Sequence, residues 1–428
     1  MDFIELFDIL YWELNVYYLQ PNIFRNLNNI KKVCKKWNLF WIYNKIIRLD
    51  INIGKIISNG KIFSLKNLNN IKYLNFIKNN YTKDLNFCEQ LLYLHCKNTN
   101  IIEIPETLNC LEELNCYGCK NLRKIPKIKT LKKLNCENTN IIGIPETLNC
   151  LEELCCRSCK NLRKIPKIKT LKKLNCGNTK INEILQTLNC LEELNCNFCY
   201  KLRKIPEIKT LKRLNCRNTL ISEIPETLNC LEKLYCNSCH NLIKIPEIKT
   251  LKILNCADTN ISEIPETLNC LEKLNCNFCH KLRKIPEIKI LKTLDCHNTN
   301  IVEIPEILNC LEYLNCFSCF NLIKIPNIKT LKILNCGWTN ISEIPETLDY
   351  LEGLYCSSCT NLIKIKKNPN IKILRCRYTK INKISKELNH LQILDCCDCE
   401  NLIKIPEIKT LKRLFCENTN ISEIPGTT

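Results

Sequence analysis

The chain has 428 residues, a formal net charge of +20, 45% apolar residues and 25% charged residues. That mixture can bury a core and is not the composition of a disordered chain. No run of eighteen apolar residues is present, so no helix crossing a membrane is expected. Only 8 glycines occur, none of them in a GxGxxG or Walker-type spacing, which argues against a nucleotide-dependent enzyme. The first residues, MDFIELFDILYWEL, lack the basic start and small-residue cleavage site of a secretory leader. The 35 cysteines are therefore expected as reduced thiols in the cytoplasm, packing as small apolar side chains.

Residues 1–45 follow no repeat. Ile30, Val33 and Trp37 recur at helical spacing, with Phe40 and Trp41 continuing the face, and Pro21 separates them from an earlier apolar stretch. This predicts a small helical N-terminal cap for whatever follows. The run NNIKKVCKKWNLF at 28–40 also resembles the end of an F-box, which carries a V-C-K-x-W sequence, although the opening Leu-Pro of that family is absent. The resemblance implies docking on the adaptor that links F-box proteins to a cullin, through Ile9, Leu10, Leu14, Ile30, Val33 and Trp37. Cap and F-box both remain open. Residues 46–90 read as degenerate leading repeats, marked by Ile46, Leu49 and Ile51 and then by Ile71, Leu74 and Phe76.

From Leu91 to Thr428 the sequence repeats every 20 residues, in seventeen units, and repeats more closely every 40. Two unit types alternate: LEELNCYGCKNLRKIPKIKT (111–130) has Cys at the ninth place, and LKKLNCENTNIIGIPETLNC (131–150) has Thr there. Apolar residues occupy places 1, 4 and 6, as a short half-buried strand requires. A second apolar set falls at places 11, 14 and 18 of the Thr type and 12, 15 and 18 of the Cys type, with proline after its middle member. Twenty residues cannot hold a strand and a full helix, so the return segment should be extended or 3₁₀. One unit cannot bury its own apolar set, whereas stacked units can.

The pattern LxxLxCxx(C or T)xxLxxIPxIxx resembles the leucine-rich repeat in its short form, with Cys replacing the usual Leu at place 6. The Asn-, Ile- and Lys-rich vocabulary is similar to leucine-rich repeat proteins of giant amoeba-infecting viruses, which would put the chain in the host cytoplasm. The resemblance implies an α/β solenoid: an arc with a parallel concave sheet, extended or 3₁₀ convex segments and the small helical cap.

Stacking turns each place into a column. Place 2 alternates Glu112, Lys132, Glu152, Lys172 and onward, a self-cancelling ladder that disfavours a slip of one unit. Eight CxxC pairs, from Cys116/Cys119 to Cys396/Cys399, would signal zinc in isolation. Here successive pairs lie two strands, about 9.6 Å, apart, so they are read as packing, and no metal or cofactor is expected. The five histidines form no catalytic constellation, and no enzyme is expected. The positive excess is spread along the length, which argues against a nucleic-acid partner and leaves weak, salt-sensitive, non-specific binding as the least favoured reading. Aromatic residues gather late in the array, at Phe278, Tyr313, Phe317, Trp338, Tyr355 and Tyr378, where they would anchor a protein ligand on the concave face. The function expected is a protein-interaction scaffold, with a ubiquitin-ligase substrate receptor as its sharper form.

Overall fold

A computed structural model describes residues 48–51, 72–76, 89–365 and 368–423. The expected cap or F-box, with Ile9, Leu10, Leu14, Ile30, Val33 and Trp37, lies outside the described residues. No helix occurs among the described residues, so the structure supports the parallel solenoid of the expected α/β class but not its helical part. The chain divides into two compact units, Met1–Leu202 and Arg203–Thr428.

Each unit is a parallel β-solenoid. In the first, β1 (Arg48–Ile51), β2 (Tyr73–Phe76) and β3 (Tyr93–His95) are followed by one three-residue strand every 20 residues up to β8 (Glu193–Asn195). In the second, the same spacing runs from β9 (Arg213–Asn215) to β19 (Arg413–Phe415). Neighbouring strands pair in parallel with places 3, 4 and 5 in register, as in Glu113↔Lys133, Leu114↔Leu134 and Asn115↔Asn135. Backbone bonds extend the ladder beyond the strand: Glu112 N–H donates to Leu92 O (2.8 Å), and Cys96 N–H to Asn115 O (2.8 Å).

The core is the repeated apolar set. Leu111, Leu114, Cys116, Leu122, Ile125 and Ile128 are buried in a Cys-type turn, and Leu131, Leu134, Cys136, Ile141, Ile144 and Leu148 in the next Thr-type turn. The return segments hold no helical run. They are extended, punctuated by turns such as Leu111 N–H to Leu108 O (3.1 Å), as the proline and the short unit dictate.

Cysteine at place 6 does more than fill space. The Cys116 thiol donates to Asn135 O of the following turn (3.4 Å), and Cys136 to Cys155 O (3.4 Å), so each S–H ties neighbouring strands where leucine could not. Burial pushes these thiols well above their ordinary range.

Two further sets of contacts alternate along the stack. The Thr99 hydroxyl donates to Cys96 O in its own turn (2.8 Å) and meets Cys119 Sγ of the next turn (3.3 Å), which itself donates to Cys96 O (2.8 Å). This joins a Thr-type turn to the Cys-type turn after it. The next joint is made by place 2, where Lys132 Nζ reaches Glu112 (3.0 Å) and Lys172 reaches Glu152 (2.9 Å). The two joints account for the 40-residue period.

Candidate functional site

The solvent-facing side of the sheet carries places 3 and 5, rimmed by places 7 and 8. Asparagine at place 5 caps the turn that ends each strand: Asn315 Oδ1 accepts from Phe317 N–H (3.3 Å), and Asn335 Oδ1 from Gly337 N–H (3.4 Å). That turn forces place 8 into the left-handed region, from Asn98 (φ 54°) and Gly118 (φ 72°) to Asn418 (φ 53°). Asn, Ser, Asp and Gly tolerate this conformation, whereas bulky residues are strained by it. Four aromatic residues nevertheless sit there: Phe198, Phe278, Trp338 and Tyr378.

All six expected aromatic residues fall in the second unit, and the structure connects them in small groups. Phe278 packs its ring edge-on to His297 at 5.0 Å, and His297 Nδ1 lies 2.6 Å from Asp295 Oδ1. Asn315 Nδ2 donates to the same carboxylate (3.0 Å), while Tyr313 stands half-buried nearby, its phenol pushed up by burial and by Asp295. The Phe317 ring covers Gly337, where an added Cβ would lie 3.0 Å from Cδ2. Tyr355 leans over Gly353 and carries the Arg375 guanidinium 5.6 Å from its ring centre. Phe278, Trp338 and Tyr378 are 42%, 52% and 59% exposed.

Place 3 distinguishes the units. In the first, after Tyr73 and Tyr93, it reads Glu113, Lys133, Glu153, Lys173, Glu193, with Lys133 and Lys173 both reaching Glu153 (3.7 and 3.5 Å). In the second, strands β14 (Tyr313–Asn315), β15 (Ile333–Asn335), β16 (Gly353–Tyr355), β17 (Ile373–Arg375) and β18 (Ile393–Asp395) place Tyr313, Ile333, Gly353, Ile373 and Ile393 side by side. Five neighbouring strands thus present no charge at that place. Arg375 offers a guanidinium beside them, while Arg377 is held by Asp395 (2.8 Å).

The sequence reading missed Phe198, Arg375 and the isoleucine row. The isoleucines were legible only as a column, because along the chain each is a single apolar residue among polar neighbours. It also missed the engagement of histidine. His95 lies between Tyr73 Oη and Glu113 Oε1, at 2.8 Å from each, which occupies both ring nitrogens.

The CxxC thiols are parts of the packing. Cys119 and Cys159 donate to Cys96 O and Cys136 O of the preceding turns. At Cys119 two influences compete: hydrogen bonds from the Cys96 side chain and the Thr99 hydroxyl draw the thiol down to about 6, against its burial. The carbonyl it touches can only accept, and that contact holds the protonated form. Among the described residues no group of three His, Cys, Asp or Glu side chains converges on a metal-sized position. No described helix is long and apolar enough to cross a membrane.

No protein-family model matches the sequence, and no curated protein matches it. Solved structures do. The chain is similar to a leucine-rich repeat protein of Leptospira interrogans (TM-score 0.63, 21% identity, covering 88% of this chain and 95% of that one). It is similar to the functional domain of InlJ from Listeria monocytogenes, described as including a cysteine ladder (TM-score 0.50, 21% identity, 78% and 70%). A plant peptide hormone receptor, RGFR1, solved in complex with RGF2, also aligns (TM-score 0.50, 16% identity, 83% and 76%). At these identities the likeness is one of fold, and the fold is the leucine-rich repeat solenoid.

Proposed function

We propose that the protein is a binding scaffold whose second unit holds a protein ligand on the solvent-facing side of its sheet, between Phe278 and Tyr378. The observation that carries this reading is the placement of Phe278, Trp338 and Tyr378. Each occupies a left-handed backbone position that asparagine or serine fills elsewhere, and each leaves about half its surface in water. The backbone position costs a bulky residue about 1–2 kcal/mol, and only part of each ring is buried within the chain to set against it. Exposed aromatic rings beside an uncharged isoleucine row have the composition of an interface centre. The plant receptor's complex with RGF2 is an instance of a protein ligand held by this fold.

Replacing Phe278, Trp338 and Tyr378 together with asparagine, the residue that the turn prefers, tests the reading. Proteins captured from lysate by the immobilised full chain should be lost with the triple variant, whose circular dichroism should match the parent. Capture unchanged by the triple variant would move the ligand site elsewhere.

The sharper form of the proposal is a substrate receptor of a cullin-based ubiquitin ligase, working in the cytoplasm with reduced thiols. It rests on the sequence NNIKKVCKKWNLF at 28–40 and on Ile9, Leu10, Leu14, Ile30, Val33 and Trp37. Val33→Ala with Trp37→Ala should abolish co-purification of the cullin-linking adaptor and leave ligand capture intact. If the unaltered chain retains no adaptor, residues 1–45 are a cap and the scaffold has no ubiquitin role.

A further inference from the structure

The net charge of +20 looks dispersed when it is counted along the sequence, yet the register gathers part of it. In the first unit the return segments 121–129 and 161–169 each carry four exposed bases and no acid: Arg123, Lys124, Lys127 and Lys129, then Arg163, Lys164, Lys167 and Lys169. The turn between them contributes Glu146 as its only acid at 141–149. Its thirteenth place is Gly143, where most Thr-type turns have glutamate, as at Glu103, Glu183, Glu223 and Glu263. Lys127 and Lys167 likewise stand where four of the six later Cys-type turns have glutamate, at Glu207, Glu247, Glu287 and Glu407, the other two having Asn327 and Lys367. Three departures from the repeat, all in adjoining turns, change charge in the same direction.

Pairing shows the same contrast. In the second unit Lys244 meets Glu226 and Lys324 meets Glu306, each at 3.4 Å. The matching Lys124 and Lys164 form no such pair, and none of the eight bases makes an ion pair among the described residues. The result is two stripes of free cations two turns, about 9.6 Å, apart. Each stripe extends up to about 20 Å between its thirteenth and nineteenth places.

We propose that this return face of the first unit binds the phosphate backbone of duplex nucleic acid, independently of the sheet face of the second unit. A duplex carries one negative charge per about 1.7 Å of its axis, so a 20 Å footprint offers more phosphates than the eight bases can neutralise. Two separated stripes suit two phosphate runs better than one. Six of the eight bases are lysines, mobile point charges suited to contacts that read no sequence. The one large apolar side chain exposed on these three segments is Ile142, too little for insertion into a lipid surface. No aromatic residue lies on them for base stacking, which favours duplex over single strand.

The probe is a fluorescent DNA duplex of roughly 20 base pairs, titrated with the full chain between about 50 and 200 mM salt. Lys127→Glu with Lys167→Glu restores the residue of most other Cys-type turns and should leave the fold intact. Lys249→Glu with Lys289→Glu makes the same charge change on the return face of the second unit. The unaltered chain should bind with a steep salt dependence. The first-unit variant should bind at least tenfold more weakly, with its log–log salt slope shallower by about 2, and the second-unit variant should bind within about twofold of the parent. Equal loss in both variants would overturn the proposal in favour of diffuse charge, and failure of the parent to bind at the lower salt would overturn it outright. Retention on phosphatidylserine vesicles without duplex binding, abolished by the first-unit variant, would overturn it in favour of a membrane surface.

Discussion

At place 8 the backbone turns left-handed, and asparagine, serine, aspartate or glycine fills most turns. Trp338 at φ 57° gains nothing from that geometry. Trp338→Asn should therefore raise stability by about 1 kcal/mol, read as a higher urea midpoint with unchanged slope, even as it removes a ligand contact. A lower midpoint would mean that the indole packs usefully against its own chain. The polar run at place 8 is visible in the sequence as a column beside the strand. Its conformational meaning came only from Asn315 and Asn335, whose side-chain caps fix the turn two residues on. The core, by contrast, was legible residue by residue, because Leu114, Cys116, Ile125 and their equivalents repeat at one spacing with one chemistry. An exposed aromatic obeys no such constraint, and its neighbours depend on register: Phe278 finds His297 on the following turn.

Between turns, the Glu–Lys joints respond to pH at both ends of the range. Hydrogen bonds from Lys292 and Lys332 hold Glu272 and Glu312 below the usual carboxylate range, and the same contacts raise both lysines. The carboxylates' contribution is present above their unfolded value near 4.3 and is lost as pH falls through their depressed folded values. The lysines' contribution is complete below their unfolded value near 10.4 and is lost as pH rises through their raised folded values. The pairs are fully exposed, so the effect is small and should shrink at about 1 M salt. Thermal midpoints should be level between roughly pH 5 and 9 and fall on either side. Glu272→Gln with Glu312→Gln should flatten the acid limb; an unchanged limb would assign it to other carboxylates. The opposite signs at place 2 were plain in the sequence, but their partners were not. A column of alternating charge does not say whether Lys132 turns to Glu112 or Glu152, and the structure shows Glu112.

Each unit is held by joints of two kinds in strict rotation, and this governs which rearrangements of the chain can fold. Removing Leu151–Cys190, a Cys-type turn and the Thr-type turn after it, leaves Lys132 on Glu112 and brings Thr139 beside Cys199, so the joint proper to that boundary can re-form. Removing Leu151–Thr170 alone sets Lys132 against Lys172 and leaves Thr139 facing Thr179 in place of Cys159. The longer deletion should melt within a few degrees of the parent by circular dichroism. The shorter one should melt lower and less cooperatively, since nearest-neighbour terms dominate such stacks. Equal midpoints would show that the strand ladder and thiol bonds suffice without the alternation.

The rotation of joints acts as a parity rule. A chain of this kind can gain or lose turns in pairs without meeting a mismatched boundary, while an odd change leaves a defect at the junction. Length variants of this protein are accordingly expected to differ by multiples of 40 residues. The same rule leaves a folding chain one error it can make cheaply: pairing two turns out of step.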